Sequence, residues 1–323
     1  MAMKKKGSFG SRWLTRLVLL IFVLSVLIPV IWVVLMSLQP TNDIVVPSMG
    51  NLTLKNYDEI IWGKPLPKPR VIKETVTITL PDGTVTTIQK VVKVITRRPS
   101  TFMRAFWTSV KIATLTVVIT LFVASMAAYG FSRYTFPGKF LFYFYYMVSQ
   151  MFPAMVGMIA LYVVFVKTGL TSAKEFLGMP RVHWALVIAY TGFNLPFAVW
   201  NLRAFMDAIP RELDEAAMVD GASPWTIYWK IIVPLTLPGL AVTGLFAFMG
   251  AWLEYVMALI LISNNRLATL PLWMYNLLYV GSYGLNITKF AAASVLVAVP
   301  VTVVFLAFQR YLLSGLLKGS VKG

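Results

Sequence analysis

Side chains able to perform covalent or metal chemistry are scarce in this sequence. The 323 residues include no cysteine and one histidine, His183, which excludes thiolate nucleophiles and histidine-based metal clusters. Glu254 is the single acid inside the long apolar runs, which leaves little from which to build an acid–base centre. No G-x-x-x-x-G-K-[ST] phosphate loop occurs, so this chain is expected to carry no cofactor and to leave ATP and Mg²⁺ to a partner. A membrane-integral enzyme is therefore disfavoured.

Polar residues inside the apolar runs could instead line a solute pathway. Glu254, Asn194 and Tyr190 are the candidates, because a polar side chain at membrane depth usually faces the bundle interior or a watery cavity. Two alternatives remain open from the residues alone. Glu254 could be a buried structural hydrogen-bond partner, and the polar residues around Asn194 could bond one helix to another. His183, beside Trp184, is expected at the membrane interface.

The loop at residues 206–234 has the most informative spacing. Pro210 suits the first turn of a helix over residues 211–219, and Gly221 suits a left-handed stop after it. Ser223 and Pro224 then predict the N-cap and first position of a second helix. Leu213, Ala216 and Ala217 give the first helix a small apolar face. An amphipathic helix outside the lipid is suited to docking in a partner's groove.

These residues must be positioned by a membrane bundle, because the chain is 58% hydrophobic and 13% charged. Uncharged runs long enough to cross a bilayer predict six transmembrane helices in an all-α polytopic protein. The fifth is expected to run as a helix from about Leu237 to Ile262, because Pro234 and Pro238 disfavour a regular helix start before them. Pro153, Pro196 and Pro300 predict kinks. The runs lie at 17–38, 112–132, 140–166, 182–202, 231–253 and 290–309.

The charge distribution predicts the orientation. The formal net charge is +17, but the bases lie between apolar runs, so lipid headgroups explain them better than nucleic acid. With both termini cytoplasmic, the short inner segments hold 13 Lys and Arg and the short outer loops hold 5. This predicts a cytoplasmic N-terminus at residues 1–16, followed by an uncleaved first span.

The first outer loop, residues 39–111, is the only sizeable soluble stretch. Residues 71–96 contain two runs rich in Val, Ile and Thr around Pro81-Asp82-Gly83, which predicts a β-hairpin. An isolated hairpin is marginal in water, so it is expected to pack on another chain or on the outer helix ends. The alternative is an insertion unrelated to function.

The loop at 206–234 resembles the signature of a known family. Glu215-Ala216-Ala217, Gly221, Ile231 and Pro234 match E-A-A-x3-G-x9-I-x-L-P of ABC importer permease subunits, with Val233 in place of Leu. The resemblance implies a type I importer permease fold and a coupling helix seated in a cleft of a cytoplasmic ATPase. Its implied coupling residues are Glu212, Leu213, Glu215, Ala216, Ala217 and Gly221.

Further stretches resemble the maltose-type sugar permeases of this family. They are Phe131-Ser132-Arg133-Tyr134, Phe136-Pro137-Gly138-Lys139, Gln150-Met151-Phe152-Pro153, Trp252-Leu253-Glu254-Tyr255 and the ending from Gln309. Over residues 112–323 the resemblance implies a permease core in a bacterial or archaeal cell membrane. The implied partners are a second permease subunit, an ATPase homodimer, an extracytoplasmic sugar-binding protein and membrane lipid.

The resemblance also implies partner contacts for two segments near the C-terminal end of the chain. The outer loop before the last span, with Tyr279, Gly281, Tyr283 and Gly284, would contact the binding protein. The tail at 310–323, with Gly315, Val321, Lys322 and Gly323, would contact the ATPase. The implied solute is maltose, maltodextrin or trehalose. One alternative is an ABC permease for another small solute. The other is a protein of a different class, a stand-alone channel or a secondary transporter.

Overall fold

The structure is a computed structural model that describes residues 9–40, 47, 49–79, 85–97, 99–151, 153–278 and 286–319. The chain divides into two compact units. Unit 1 comprises residues 1–101 and 274–296, and unit 2 comprises residues 102–273 and 297–323.

Helices account for most of the described residues, and they are numbered in chain order. Those before residue 210 are α1 (Phe9–Ser37), α2 (Lys55–Trp62), α3 (Phe102–Arg133), α4 (Lys139–Met151), α5 (Ala154–Lys167) and α6 (Arg181–Asp207). Those after it are α7 (Glu212–Val219), α8 (Pro224–Ile227), α9 (Val233–Leu235), α10 (Leu237–Trp252), α11 (Val256–Leu261), α12 (Leu270–Leu278) and α13 (Ile287–Gly319).

Two pairs of antiparallel strands complete the described structure. Strand β1 (Pro65–Thr79) pairs with β2 (Val85–Arg97), and the short β3 (Glu175–Phe176) pairs with β4 (Met179–Pro180). The β1–β2 pair begins before the expected hairpin at 71–96, and it has register shifts near Pro65 and Ile72. The expected turn at residues 81–83 lies outside the described residues.

Four helices of the described chain are long and apolar enough to cross a membrane: residues 13–37 of α1, α3, α6 and residues 287–311 of α13. The segment Pro224–Leu235 and α10 pass the same test together, but they meet at an angle of 75°. Helix α5 is apolar and shorter. The chain is therefore a multi-pass membrane protein.

The second and third expected spans have different boundaries in the structure. Helix α3 begins at Phe102 rather than 112, because Arg104 and Lys111 end the uncharged run without ending the helix. The run 140–166 forms two helices, α4, which ends at Met151, and α5, which begins at Ala154. The cause is Pro153, which has no N–H to continue the backbone ladder.

The fifth and sixth spans also differ from expectation. Helix α10 does begin at Leu237, but residues 253–255 interrupt it before α11. Helix α13 passes Gln309 and continues to Gly319. Much of the expected tail is therefore helical.

The core of unit 2 is built on α3 and α6. Alanines on both helices are fully buried, including Ala124 and Ala128 of α3 and Ala198 of α6. Small side chains allow helix backbones to approach closely, which is the usual basis of helix association where lipid removes the hydrophobic driving force. Leu202, Met206, Ile227 and Ile232 extend this cluster toward the loop after α6.

A π-helical segment, Tyr228–Ile232, joins α8 to α9. The Val233 N–H donates to the Tyr228 carbonyl, five residues back. Pro234 follows directly and cannot donate to the Lys230 carbonyl, which disfavours the regular α pattern at this point.

Candidate functional site

The loop between α6 and α8 contains the candidate site, and α7 is its centre. Gly221 has φ +82°, and the Ala222 N–H donates to the Ala217 carbonyl at 2.9 Å, as expected for a left-handed helix stop. The Ser223 side chain accepts from the Thr226 N–H, with Pro224 at the first helical position. The predicted stop, cap and second helix are confirmed.

Most of α7 is exposed, and Asp214 is the exception. Asp214 is buried, whereas Glu212, Leu213, Glu215 and Ala216 are exposed. Ala217, which was expected on the docking face, packs instead against the buried cluster of unit 2. The side of α7 that meets its own chain is therefore the side of Asp214 and Ala217.

The exposed side of α7 carries apolar as well as acidic groups. Val219 is 89% exposed, and Leu213 and Met218 are also exposed. Exposed apolar side chains beside acids are typical of surfaces that contact another protein. Acids in the first turn are also stabilised by the helix dipole.

A buried ion pair joins α7 to the end of α3. Arg133 Nε lies 2.5 Å from Asp214 Oδ2, with side-chain exposures of only 7% and 11%. Arg133 also donates through Nη2 to the Ile209 carbonyl at 3.1 Å. The end of α3 is therefore bonded to the chain on both sides of the start of α7.

Further polar contacts surround this ion pair. Ser132 Oγ donates to Asp207 Oδ1 at 2.6 Å, and Arg211 Nη2 donates to the Ser132 carbonyl at 3.0 Å. Arg203 Nε lies 3.1 Å from Asp207 Oδ2. These contacts tie the last turn of α3 to the last turn of α6. The ends of α3 and α6 are therefore joined to each other beside α7.

A small cleft of about 170 Å³ opens beside the ion pair. Both charged partners line it, together with Glu215 and Met218 of α7 and Tyr129 and Tyr134 of the α3 end. The cleft has room for a side chain of another protein.

The three candidate pathway residues lie together in the structure. Tyr190 Oη donates to Glu254 Oε2 at 2.7 Å, and the Met257 N–H donates to Glu254 Oε1 at 2.9 Å. Asn194 Nδ2 donates to the Tyr190 carbonyl at 2.7 Å. Both Glu254 oxygens are engaged, and one of them caps the start of α11. These contacts favour the structural alternative for Glu254.

Some predicted residues have other surroundings than expected. His183 is buried, and its Nε2 lies 2.9 Å from the Leu267 carbonyl; its position at the membrane interface stays a prediction. Gly315 lies in α13. Tyr279, Gly281, Tyr283, Gly284, Val321, Lys322 and Gly323 lie outside the described residues. In the part of the chain that the structure describes, no three acids or histidines form a group able to hold a metal.

Sequence reasoning missed the residues that hold α7 in place. Arg133 and Arg211 were counted toward the orientation, and Ser132 and Arg133 toward the family resemblance. The sequence predicted no contact that joins these residues, Asp207 and Asp214 around α7. One signal was present: Arg133 follows an uncharged run directly. Its partner could not be identified without the fold.

The chain matches known proteins over its whole length. Residues 120–318 match the family model described as "Binding-protein-dependent transport system inner membrane component". The chain is 33% identical over 324 residues to the maltose/maltodextrin transport system permease protein MalG of Vibrio vulnificus (strain YJ016), covering 100% of both chains. It is 32% identical over 324 residues to the protein of that name from Escherichia coli (strain K12), again covering 100% of both.

Two solved structures share the fold. A chain of a bacterial ABC transporter involved in the import of the acidic polysaccharide alginate superimposes with a TM-score of 0.70 at 18% identity, covering 96% of this chain and 99% of that one. A chain from the alginate ABC transporter in complex with an alginate pentasaccharide-bound periplasmic protein gives 0.52 at 17% identity, covering 66% and 78%. At these identities the likeness concerns the fold alone.

Proposed function

The chain belongs to the family of binding-protein-dependent transport system inner membrane components, and we propose that it is a permease subunit of an ATP-driven sugar importer. The observation that carries the proposal is α7, which is exposed on its acidic and apolar side and fixed to α3 through Arg133 and Asp214. A stand-alone channel has no need of such a surface. The subunit moves solute and catalyses no reaction itself.

The coupling helix α7 sits in a cleft of a partner ATPase, which binds ATP and Mg²⁺. Glu215 faces a basic group there, and Leu213, Ala216 and the exposed Met218 fill the apolar part of the cleft. Closure of the ATPase dimer displaces α7, and the Arg133–Asp214 pair passes this displacement to α3. Glu212 and Gly221 set the start of the helix and the turn after it.

The subunit crosses the cytoplasmic membrane six times, with both termini in the cytoplasm. Helices α4 and α5 together make the third crossing, and the bent segment with α10 makes the fifth. The 13-to-5 distribution of Lys and Arg supports this orientation. The ribbon formed by β1 and β2 then lies outside the membrane.

Two contact regions complete the assembly. The outer loop with Tyr279, Gly281, Tyr283 and Gly284 meets a soluble sugar-binding protein. The end of the chain, from Gly315 through residues 321–323, meets the ATPase dimer. A second permease subunit completes the pathway. The surface of this chain that meets the second subunit includes α1. The side chains of α1 are exposed from Trp13 to Val34, apart from Val33.

The transported solute is maltose or a maltodextrin, with trehalose as the nearest alternative. The support is the 33% identity to a maltose/maltodextrin permease over 100% of both chains. Another small solute remains the second candidate. The wall of the pathway includes Asn194 and the Tyr190–Glu254 pair.

Reconstitution tests the function directly. The chain is expressed with its neighbouring permease, ATPase and binding protein, and the complex is placed in lipid vesicles. We expect ATP turnover that rises when maltose-loaded binding protein is added, together with uptake of labelled maltose. Uptake without ATP, or purification of the chain alone with channel activity, would refute the importer. Uptake of another solute only would refute the maltose assignment.

A further inference from the structure

An apolar groove runs along the surface of unit 2 between α3, α10 and α13. Its volume is about 390 Å³. Among the side chains that line it, those of Thr114 and Tyr311 alone carry a polar atom. The groove therefore suits a hydrocarbon chain far better than a sugar, whose hydroxyl groups would lack partners there.

The groove covers one half of the membrane. Along α10 it extends from Leu237 to Phe248, which is about 16 Å at ~1.5 Å per residue. The hydrocarbon core of a bilayer is about 30 Å thick. In the orientation proposed above, Leu237 and Tyr311 lie toward the cytoplasmic ends of their helices. The groove consequently occupies the depth of the cytoplasmic leaflet.

The groove is also narrow for its length. Its volume spread over that length corresponds to a mean width of about 5–6 Å. An α-helix with its side chains is about 10–12 Å across, so a helix of another subunit could only rest on the rim. A single extended acyl chain is slender enough to lie inside.

The last helix has little cover on the side of this groove. Val299, Val303, Phe305 and Leu306 of α13 are exposed, and Val304 is half-buried at the edge of the groove. Helices in a membrane associate through van der Waals packing rather than through a hydrophobic driving force. A molecule that fills the groove would therefore add contacts between α13 and the pair formed by α3 and α10.

A positive charge lies at the cytoplasmic end of the groove. Arg310 is exposed, its Nη2 donates to Tyr311 Oη at 3.0 Å, and its guanidinium lies 4.9 Å from the centre of the Tyr311 ring. In the part of the chain that the structure describes, no acid forms an ion pair with Arg310. The sequence contains no Asp or Glu after Glu254. An anion for this guanidinium is therefore expected from another molecule.

The charge decides which lipid the groove prefers. Lipid tails are as apolar as the lining, so an acyl chain gains no hydrophobic free energy by leaving the bilayer for the groove. Selectivity must come from the headgroup. The cytoplasmic leaflet carries the anionic lipids, and a guanidinium presents a planar set of donors that matches a phosphate.

We propose that the groove binds an anionic phospholipid of the cytoplasmic leaflet, with one acyl chain between α3, α10 and α13 and its phosphate held by Arg310 beside the Tyr311 ring. The bound lipid fastens the cytoplasmic half of α13 to the core of unit 2. This inference goes beyond the proposed function, from which it takes only the orientation of the chain.

The test uses the purified complex in nanodiscs of phosphatidylcholine that contain a photoreactive lipid. Phosphatidylglycerol and phosphatidylcholine, each with a diazirine in the acyl chain, are compared, and the crosslinked peptides are mapped by mass spectrometry. We expect crosslinks on the lining of the groove, with a preference for phosphatidylglycerol of about fivefold. Adding phosphatidylglycerol should also raise the melting temperature.

Variants at the end of the groove test the headgroup contact. Arg310→Gln should remove most of the preference for phosphatidylglycerol, whereas Arg310→Lys, which keeps the charge, should retain part of it. The matched control is Lys230→Gln, which removes an exposed base that does not line the groove and should leave the preference unchanged.

A filled groove tests the place of the acyl chain. Val304→Trp puts a large side chain at the edge of the groove and should lower crosslinking of both lipids about fivefold or more. Val303→Trp, one position away and 59% exposed, is the control and should not. The melting temperature of both variants in phosphatidylcholine alone verifies that they are folded.

Each outcome decides one part of the inference. An unchanged preference in Arg310→Gln overturns the headgroup contact, and unchanged crosslinking in Val304→Trp overturns the groove as the site. A photoreactive amino acid at position 304 that crosslinks to the second permease subunit instead of lipid would assign the groove to a protein helix and overturn both. None of these measurements requires transport, so a complex that binds lipid as expected but moves no sugar would refute the proposed function alone.

Discussion

Asp214 and Glu215 are neighbours on α7 with opposite environments. Asp214 is buried in an ion pair with Arg133, whereas the Glu215 side chain is exposed. One acid therefore fixes the helix to its own chain, and the next is free for another protein. Substitutions at these two positions can therefore separate the stability of α7 from the ATPase contact that we propose for its exposed side.

The Asp214→Asn substitution should detach α7 from α3. It leaves the Arg133 guanidinium buried without a counter-ion, and loss of one member of a buried pair costs about 3–5 kcal/mol. We expect a lower melting temperature of the purified complex and a large loss of transport in vesicles. Lys230→Gln, which removes an exposed charge nearby, is the control and should change neither. Full transport by Asp214→Asn would contradict the role of the pair.

The Glu215→Ala substitution should have a different signature. Because the side chain is exposed, the melting temperature of the isolated subunit should stay as it is. Loss of a charge that pairs across an interface costs about 2–5 kcal/mol, so the ATPase should dissociate more readily during purification and transport should fall. Stable attachment together with normal transport would show that Glu215 does not face the ATPase.

Gly221 is needed for its backbone conformation rather than for space. Its φ is +82°, and no atom lies within 4 Å of an added Cβ. Gly221→Ala should therefore lower the stability only by the energy of placing a Cβ in the left-handed region, about 1–2 kcal/mol. Gly221→Val should lower it more. The control is Gly130→Ala in α3, which also has no atom within 4 Å and should be neutral or slightly stabilising. Transport rates and melting temperatures are measured for the Gly221→Ala and Gly130→Ala variants. Equal losses in the two variants would refute the need for a left-handed backbone at Gly221.

Glu254 should matter as a hydrogen-bond partner rather than as a charge. Glu254→Gln keeps an oxygen for the Met257 N–H and a polar group for Tyr190, so most transport should remain. Glu254→Ala leaves both partners unpaired, which costs about 1–3 kcal/mol for each buried group. Transport rates and melting temperatures distinguish the two. Equal loss in both variants would favour a direct role of the charge in the pathway.

The proposed topology can be tested cleanly, because the chain has no native cysteine. Leu54→Cys and Thr135→Cys each introduce a thiol at an exposed position. An impermeant maleimide added to intact cells should label the first and spare the second. The opposite pattern would reverse the orientation.

Short-range features of this protein were predictable from sequence. The stop at Gly221, the cap at Ser223 and the start of α10 at Leu237 each depend on a few neighbouring residues, and each is present. Family membership followed from the same stretch, because the coupling signature is local.

Features that depend on how distant segments meet were not predictable. The Arg133–Asp214 pair joins residues whose meeting depends on how α3 and α7 pack, and no spacing rule connects them. The sequence analysis took the first charged residue as the end of each span. Arg104 and Lys111 nevertheless lie within α3, because a helix can continue beyond the apolar core of the membrane. The break at Glu254 was not predicted, because Glu254 is held in part by Tyr190 of α6, which is distant in sequence.

The number of residues in the π-helical segment Tyr228–Ile232 determines how the helices before and after it are oriented. A π turn is an α turn with one residue inserted. Deleting a single residue here would restore an ordinary α-helix and rotate everything before it by about 100° relative to α10. Tyr228 would then be turned away from Ser125, whose Oγ now lies 2.7 Å from its Oη. Homologous chains should consequently tolerate substitutions in this segment more readily than single-residue gaps.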